Sequence, residues 1–317
     1  MAGTPDPASS PIAITGASGF IGRALARHLH ARGCAVTAVA RHAWDAPAGV
    51  RVIGLQDYED TAALAAAFQG VSCVLHLAAL AHREGSAAEF DASVRAARSV
   101  AETALRSGVR RLVFLSSIGV NGHRTDGRPF TEEDAPRPAE PYAHSKLQAE
   151  QAVIAACAGS TLDYVIVRPP LVYGPDAPGN FGRLVRLVRR GWPLPLGAIR
   201  NARSFIALEN LVDLLAVCAH HPAAANQVLL AADAEDLSTP ELVRCIAAGL
   251  GLPARLVPVP PGLLRAGAQL LGRERLADSL CGSLQVDAAK AGRLLGWQPR
   301  VRAAEGVRRA AAASRTP

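Results

Sequence analysis

Lysine is nearly missing from this chain of 317 residues: Lys146 and Lys290 are the only two. The net charge of +7 therefore rests on arginine. The arginines are scattered, with short clusters at Arg186-Arg189-Arg190 and Arg308-Arg309. No basic run carries interleaved aromatics, which argues against nucleic-acid binding. Aromatic residues make up only 4% of the chain, while half of it is apolar and alanine is abundant. That texture suits close packing of helices on a sheet. No stretch of ~18 uninterrupted apolar residues exists, so no membrane insertion is expected. The six cysteines, Cys34, Cys73, Cys157, Cys218, Cys245 and Cys281, stand far apart with no CxxC spacing. They read as reduced thiols of a cytoplasmic protein. His28, His30, His220 and His221 have no accompanying Cys or carboxylate pattern, so no metal site is expected. Ser117, His144 and Asp163 as a hydrolase triad would need a G-x-S-x-G elbow, which is absent. Met1 to Pro11 is rich in Pro, Ser and Ala, without the charged start and long apolar stretch of a secretion signal.

What is present is an alternation of short apolar runs and amphipathic stretches over the first 170 residues. Strands are predicted at Ile12–Thr15, Ala35–Ala40, Val50–Leu55, Cys73–Leu77, Leu112–Ser116 and Tyr164–Val167. Helices are predicted at Phe20–Arg32, Thr61–Phe68, Ala87–Ser107 and Tyr142–Ala158. This pattern implies an α/β fold of the Rossmann type, a doubly wound parallel sheet. After Pro169-Pro170, proline and glycine thicken. Phe205–Ala219 reads as a helix, Gln227–Ala231 as a strand, and Pro240–Gly249 and Pro261–Gly272 as helices. The division expected is a dinucleotide-binding domain over 1–172, with 203–235 returning to it. A smaller C-terminal substrate-binding cap would be formed by 173–202 and 236–317.

Two motifs carry chemistry. Gly16, Gly19 and Gly22, with Ser18, Phe20 and Ile21 between them, follow a predicted strand and open a helix. Glycines there let a backbone approach a pyrophosphate, and the helix N-terminus adds amide donors and a positive dipole end. The second strand ends in Val39-Ala40-Arg41-His42, where an acidic residue would bond the ribose 2′-hydroxyl of NAD. Arg41 instead offers a cation for a 2′-phosphate, so NADP(H) is favoured over NAD(H). Downstream, Tyr142 and Lys146 stand four apart and share one face of a helix. An ammonium beside a phenol lowers its pKa from ~10. A tyrosine so tuned can exchange a proton with an alcohol or ketone near neutral pH. Ser116 and Ser117 end the fifth strand, where a hydroxyl can hold the same oxygen. Lys146 can also hold the nicotinamide ribose. The positive balance of the chain fits an anionic small substrate such as a nucleotide. His76 reads as a packed core histidine.

The glycine loop, the serine pair and Tyr-xxx-Lys together resemble the extended short-chain dehydrogenase/reductases, and among them the nucleotide-sugar epimerases, dehydratases and reductases. The resemblance continues in Arg168-Pro169-Pro170-Leu171-Val172-Tyr173-Gly174-Pro175, in Gly179-Asn180-Phe181, in Arg203-Ser204-Phe205-Ile206, and in Leu294-Leu295-Gly296-Trp297-Gln298-Pro299. It implies that Ser117, Tyr142 and Lys146 are catalytic. It places Asp57, Leu77, Ala78, Ala79 and Pro169 around the cofactor. It puts Asn180 and Arg203 on the diphosphate of a UDP-sugar substrate. It further implies a homodimer through the helices of Ala87–Ser107 and Tyr142–Ala158. Three departures stand out. Arg41 replaces an aspartate. Ser93-Val94-Arg95-Ala96-Ala97 replaces N-V-x-G-T. A second phosphate-binding arginine before Asp287 has no match, since Ser279 falls there and Arg275 lies a turn earlier. A dehydratase would carry Asp-Glu where Ile118-Gly119 stand. The favoured expectation is an NAD(P)-dependent 4-keto-sugar-nucleotide reductase of surface-polysaccharide synthesis, acting at C4 of a UDP-hexose or N-acetylhexosamine. The alternative is a UDP-sugar 4-epimerase, and the distant one a non-catalytic NAD(P)-sensing protein.

Overall fold

The computed structural model describes residues 10–78, 85–270, 272 and 274–314. Among them, seven strands form one parallel sheet. In chain order they are β1 (Ile12–Thr15), β2 (Val36–Ala40), β3 (Arg51–Gly54), β4 (Cys73–His76), β5 (Arg111–Leu115), β6 (Asp163–Arg168) and, late in the chain, β9 (Gln227–Leu230). Their spatial order is β3-β2-β1-β4-β5-β6-β9. The order reverses between β1 and β4, which is where sheets of this kind open a crevice at the strand C-termini.

The strand sequences explain why both faces are covered. Ile12 and Ile14 pack into one apolar cluster and Ala13 between them into another. Val113 and Leu115 alternate in the same way with Leu112 and Phe114. A strand apolar at every position must be buried on both sides. The first face is covered by α1 (Phe20–Ala31) and α6 (Leu208–His220), and the second by α2 (Thr61–Phe68), α3 (Ala87–Arg106) and α4 (Pro141–Cys157). Helix α3 begins with a full capping box, in which Ser86 Oγ accepts from the Glu89 amide and Glu89 accepts from the Ser86 amide.

The stretch Phe205–Ala219, expected to be one helix, is divided. Phe205–Ala207 is a short strand, β8, paired in parallel with β7 (Leu171–Tyr173), and the helix starts only at Leu208. An apolar run of this length does not distinguish strand from helix by periodicity; the available partner at β7 decides it. A third apolar cluster joins β7 and β8 to α5 (Asn180–Arg189), α7 (Thr239–Gly249) and α11 (Ala303–Ala313). Helices α8 (Pro261–Leu270), α9 (Glu274–Cys281) and α10 (Ala289–Leu295) complete the chain.

Candidate active site

The glycine loop connects β1 to α1 at the point where the sheet order reverses. Gly16 adopts φ +74°, and a Cβ there would meet the Ala78 amide at 2.7 Å. A Cβ on Gly22 would meet the Gly16 carbonyl at 2.2 Å. Both positions are therefore closed to any larger residue. Gly19 is the N-cap of α1, and no side chain caps that end. A tight loop with an uncovered helix N-terminus fits a dinucleotide pyrophosphate. Phe20 and Ile21 anchor the first turn, one in the third apolar cluster and the other in the first. The Ser18 carbonyl accepts from Arg23 Nε at 2.7 Å.

A residue not singled out from the sequence joins this loop. Tyr58, buried just beyond β3, accepts a hydrogen bond from the Gly16 amide at 3.0 Å. Its neighbour Asp57 is exposed and accepts from the Glu59 amide at 2.9 Å. Arg41 is exposed at the end of β2, and its carbonyl accepts from Gln56 Nε2 at 3.2 Å. Burial raises the Tyr58 pKa, while the nearby Arg41 charge opposes the rise. The Arg41 guanidinium thus lies near the residue that holds the glycine loop.

On the other side of the crevice, Ala78, Phe90, Ser93, Phe114, Tyr142 and Lys146 line a single cleft. Helix α4 starts with Pro141 at its first turn, which pre-sets φ for a helix. Tyr142 and Lys146 then fall one turn apart. Lys146 is buried, its Nζ donating to the Leu115 carbonyl at 2.8 Å and lying 4.9 Å from the centre of the Phe114 ring. Burial lowers its pKa to about 8, against the pull of the Glu150 carboxylate. Ser117 Oγ accepts from the Gly119 amide at 3.1 Å, at the start of a 3-10 turn over Ile118–Val120. A Cβ on Gly119 would touch both Ser117 Oγ and Ala143 Cβ, so the Ser117 hydroxyl lies beside the first turn of α4. Pro169 is buried, and its carbonyl accepts from the Ile118 amide at 2.9 Å.

Beneath these groups lies a buried polar line. Glu150, one turn beyond Lys146, receives both Nε (2.9 Å) and Nη2 (2.6 Å) of Arg168 and the hydroxyl of Ser116. Arg168 Nη1 donates to Asn121 Oδ1 at 3.0 Å. Ser116 is thus occupied as a structural donor, while Ser117 faces α4. His76 is fully buried. It shares a 2.6 Å hydrogen bond with Thr15 and stacks on Phe114, and burial lowers its pKa to about 3. It is a neutral core residue. Glu150 was detectable as a carboxylate at i+4 from Lys146, and Arg168 as the first residue of its motif; that the two pair follows only from the fold.

The residues expected at the substrate are placed apart from the cleft lining. Asn180 is exposed at the first turn of α5, after Gly179 with φ +73°. Arg203 bridges Leu237 and Leu284 through its backbone, and its Nη1 donates to the Gly282 carbonyl at 2.9 Å. Leu77 continues β4, its amide donating to the Thr15 carbonyl at 3.1 Å. Ala79 and the side chain of Arg275 lie outside the described residues. Ser93, at the position of the missing asparagine, lines the cleft with its hydroxyl bonded to the Glu89 carbonyl at 3.1 Å. Among the described residues, no cluster of His, Cys, Asp and Glu is suited to a metal ion.

Residues 12–231 match the model of the NAD dependent epimerase/dehydratase family. The chain belongs to that family. It is 38% identical to a UDP-glucose 4-epimerase of Vibrio cholerae over 95% of this chain and 94% of the relative. It is 30% identical to a 2-alkyl-3-oxoalkanoate reductase of Stenotrophomonas maltophilia over 96% and 99%. Among solved structures, MoeE5 in complex with UDP-glucose and NAD is 28% identical, with a TM-score of 0.77 over 95% of this chain and 97% of that one. The resemblance to extended short-chain dehydrogenase/reductases and the parallel α/β fold expected from the sequence both hold.

Proposed function

We propose that this protein reduces the 4-keto group of a UDP-linked sugar, at C4 of a hexose or N-acetylhexosamine derivative, in surface-polysaccharide synthesis. The observation that carries the reading is the gathering of Tyr142, Lys146 and Ser117 where β5 meets α4, across the crevice from the glycine loop. The fit of Gly16 and Gly22, and the likeness to MoeE5 with its UDP-glucose and NAD, support a nicotinamide dinucleotide and a UDP-sugar. Arg41 favours the 2′-phosphate of NADP(H), and NAD(H) is the alternative.

Gly16, Ser18, Gly19, Phe20, Ile21 and Gly22 would hold the pyrophosphate, with Asp57, Leu77, Ala78 and Pro169 around the rest of the cofactor. When bound, the nicotinamide supplies the hydride to C4. Tyr142 gives its phenolic proton to the C4 oxygen, and Ser117 Oγ donates a hydrogen bond to that oxygen as it gains charge. The Lys146 ammonium, fixed by the Leu115 carbonyl, stabilises the phenolate left behind. Asn180 and Arg203 hold the diphosphate, Arg203 already oriented by Gly282. The cap of 173–202 and 236–317 encloses the sugar. A homodimer through α3 and α4 accompanies this reading; light scattering tests it.

A 4-epimerase is the second reading, because the Vibrio cholerae relative carries that name. Incubation with UDP-N-acetylglucosamine and no added cofactor separates the two. Formation of the C4 epimer overturns the reductase. Stoichiometric oxidation of NADPH or NADH by a UDP-4-keto-6-deoxy-N-acetylhexosamine supports it.

A further inference from the structure

Exposed apolar side chains are concentrated in one stretch of the chain. Apart from Val52 and Ile154, the large ones among the described residues all fall between 192 and 270: Trp192, Leu252, Val257, Leu263 and Leu270. Leu270 is 89% exposed, Leu263 65% and Trp192 61%. The backbone ties them together. The Leu194 amide donates to the Arg255 carbonyl and the Val257 amide to the Leu194 carbonyl, each at 2.8 Å. Helix α8 begins four residues after Val257 and has no buried residue. Leu263 and Leu270 are seven positions apart, two helical turns, and so share one stripe of α8.

Charge over the same region has one sign. No Asp or Glu occurs between Asp176 and Glu209, where six arginines fall, or between Glu241 and Glu274, where four do. Arg190, Arg255 and Arg265 are exposed, and the Arg190 guanidinium lies 5.6 Å from the centre of the Trp192 ring. Isolated leucines do not stack on bases, and a single tryptophan is a poor base platform. Protruding leucines and a tryptophan among arginines match a lipid headgroup boundary, with Asp278 of the neighbouring α9 the acidic residue that shares the surroundings of Arg265. No helix among the described residues is long and apolar enough to cross a membrane, so the contact would be peripheral.

We propose that the face formed by Trp192, Val257 and α8 docks on an anionic lipid bilayer. Leucines and tryptophan enter the headgroup boundary, and the arginines meet lipid phosphates. Each such arginine multiplies partitioning roughly fivefold at low salt. The test is flotation of the purified full chain with vesicles of phosphatidylcholine containing one third phosphatidylglycerol, or of phosphatidylcholine alone. The chain should float with the anionic vesicles at low salt, and less at high salt or without phosphatidylglycerol. The double variant Leu263→Asp/Leu270→Asp should bind at least about tenfold more weakly. Both positions are exposed, so its melting temperature should match the parent's. Val52→Asp, on the edge strand β3, should float like the parent. Absence of flotation with anionic vesicles overturns the proposal. So does an equal loss in Val52→Asp. Unchanged flotation with dissolution of a dimer in the double variant assigns the face to a second copy. Tighter binding to a short RNA, insensitive to the leucine changes, assigns the arginines to nucleic acid.

Discussion

Two buried carboxylates of this protein are held by different kinds of partner. Glu150, on α4, faces the full cation of Arg168 through two hydrogen bonds and also receives Ser116. Asp233, just beyond β9, is held among the described residues by neutral donors: the Tyr173 hydroxyl at 2.7 Å, Asn210 Nδ2 at 2.7 Å and the Ala207 amide at 3.1 Å. Burial raises the Asp233 pKa and these donors lower it only in part. The contrast separates two jobs. Glu150 sets its carboxylate one turn from Lys146, whose pKa it raises. Asp233 fastens β7, β8 and α6 together beneath the third apolar cluster. Tyr173 is fitted so closely there that a Cβ on Gly306 would lie 2.3 Å from its hydroxyl.

The comparison can be broken by removing each carboxylate. Glu150→Ala strands a buried guanidinium and should cost about 3–5 kcal/mol of stability. Asp233→Ala leaves neutral donors unpaired and should cost about 1–3 kcal/mol. Urea titrations of both variants decide it, and equal losses would remove the distinction. Isosteric changes sharpen it. Glu150→Gln deletes the charge that raises the Lys146 pKa, so an alkaline limb of the proposed ketone reduction set by that ammonium, whose pKa is about 8 in the parent, should move to lower pH. Asp233→Asn should leave that limb in place. A pH–rate profile of the two variants provides the measurement.

A third buried titratable group, His76, acts through pH, and its effect per pH unit is small beside the loss expected for Glu150→Ala. Its folded pKa of about 3 lies below the unfolded value near 6.5. Between those values the unfolded chain binds a proton that the folded chain refuses. Stability therefore falls as pH drops through that window, by up to about 1.4 kcal/mol per pH unit. His76→Phe should flatten this slope in denaturation experiments run between pH 6 and pH 4, values set by that window.

Much of the sheet was legible because its information is local. Strands β1 to β6 end within a residue or two of the positions set by their apolar runs, and the glycine loop marks the β1–α1 turn by itself. That Tyr142 and Lys146 fall one turn apart on a helix was legible from their spacing. The rest depends on contacts distant in sequence. Phe205–Ala207 became a strand because Leu171–Tyr173 lies beside it. Tyr58 reaches the glycine loop from 42 residues away. Glu150 and Arg168 are 18 residues apart and meet only because α4 crosses over β6. Arg41, at the end of β2, is where the sequence argued for NADP(H); it is exposed there, and the solved relative MoeE5 was found with NAD.

The most direct test of the proposed chemistry is Tyr142→Phe, with ketone reduction and dinucleotide affinity measured on the same preparation. Loss of the phenolic proton donor should lower turnover by roughly a hundred- to ten-thousandfold while cofactor affinity stays at the parent value. Turnover within a few-fold of the parent would contradict proton transfer by Tyr142 and, with it, the role given to Lys146.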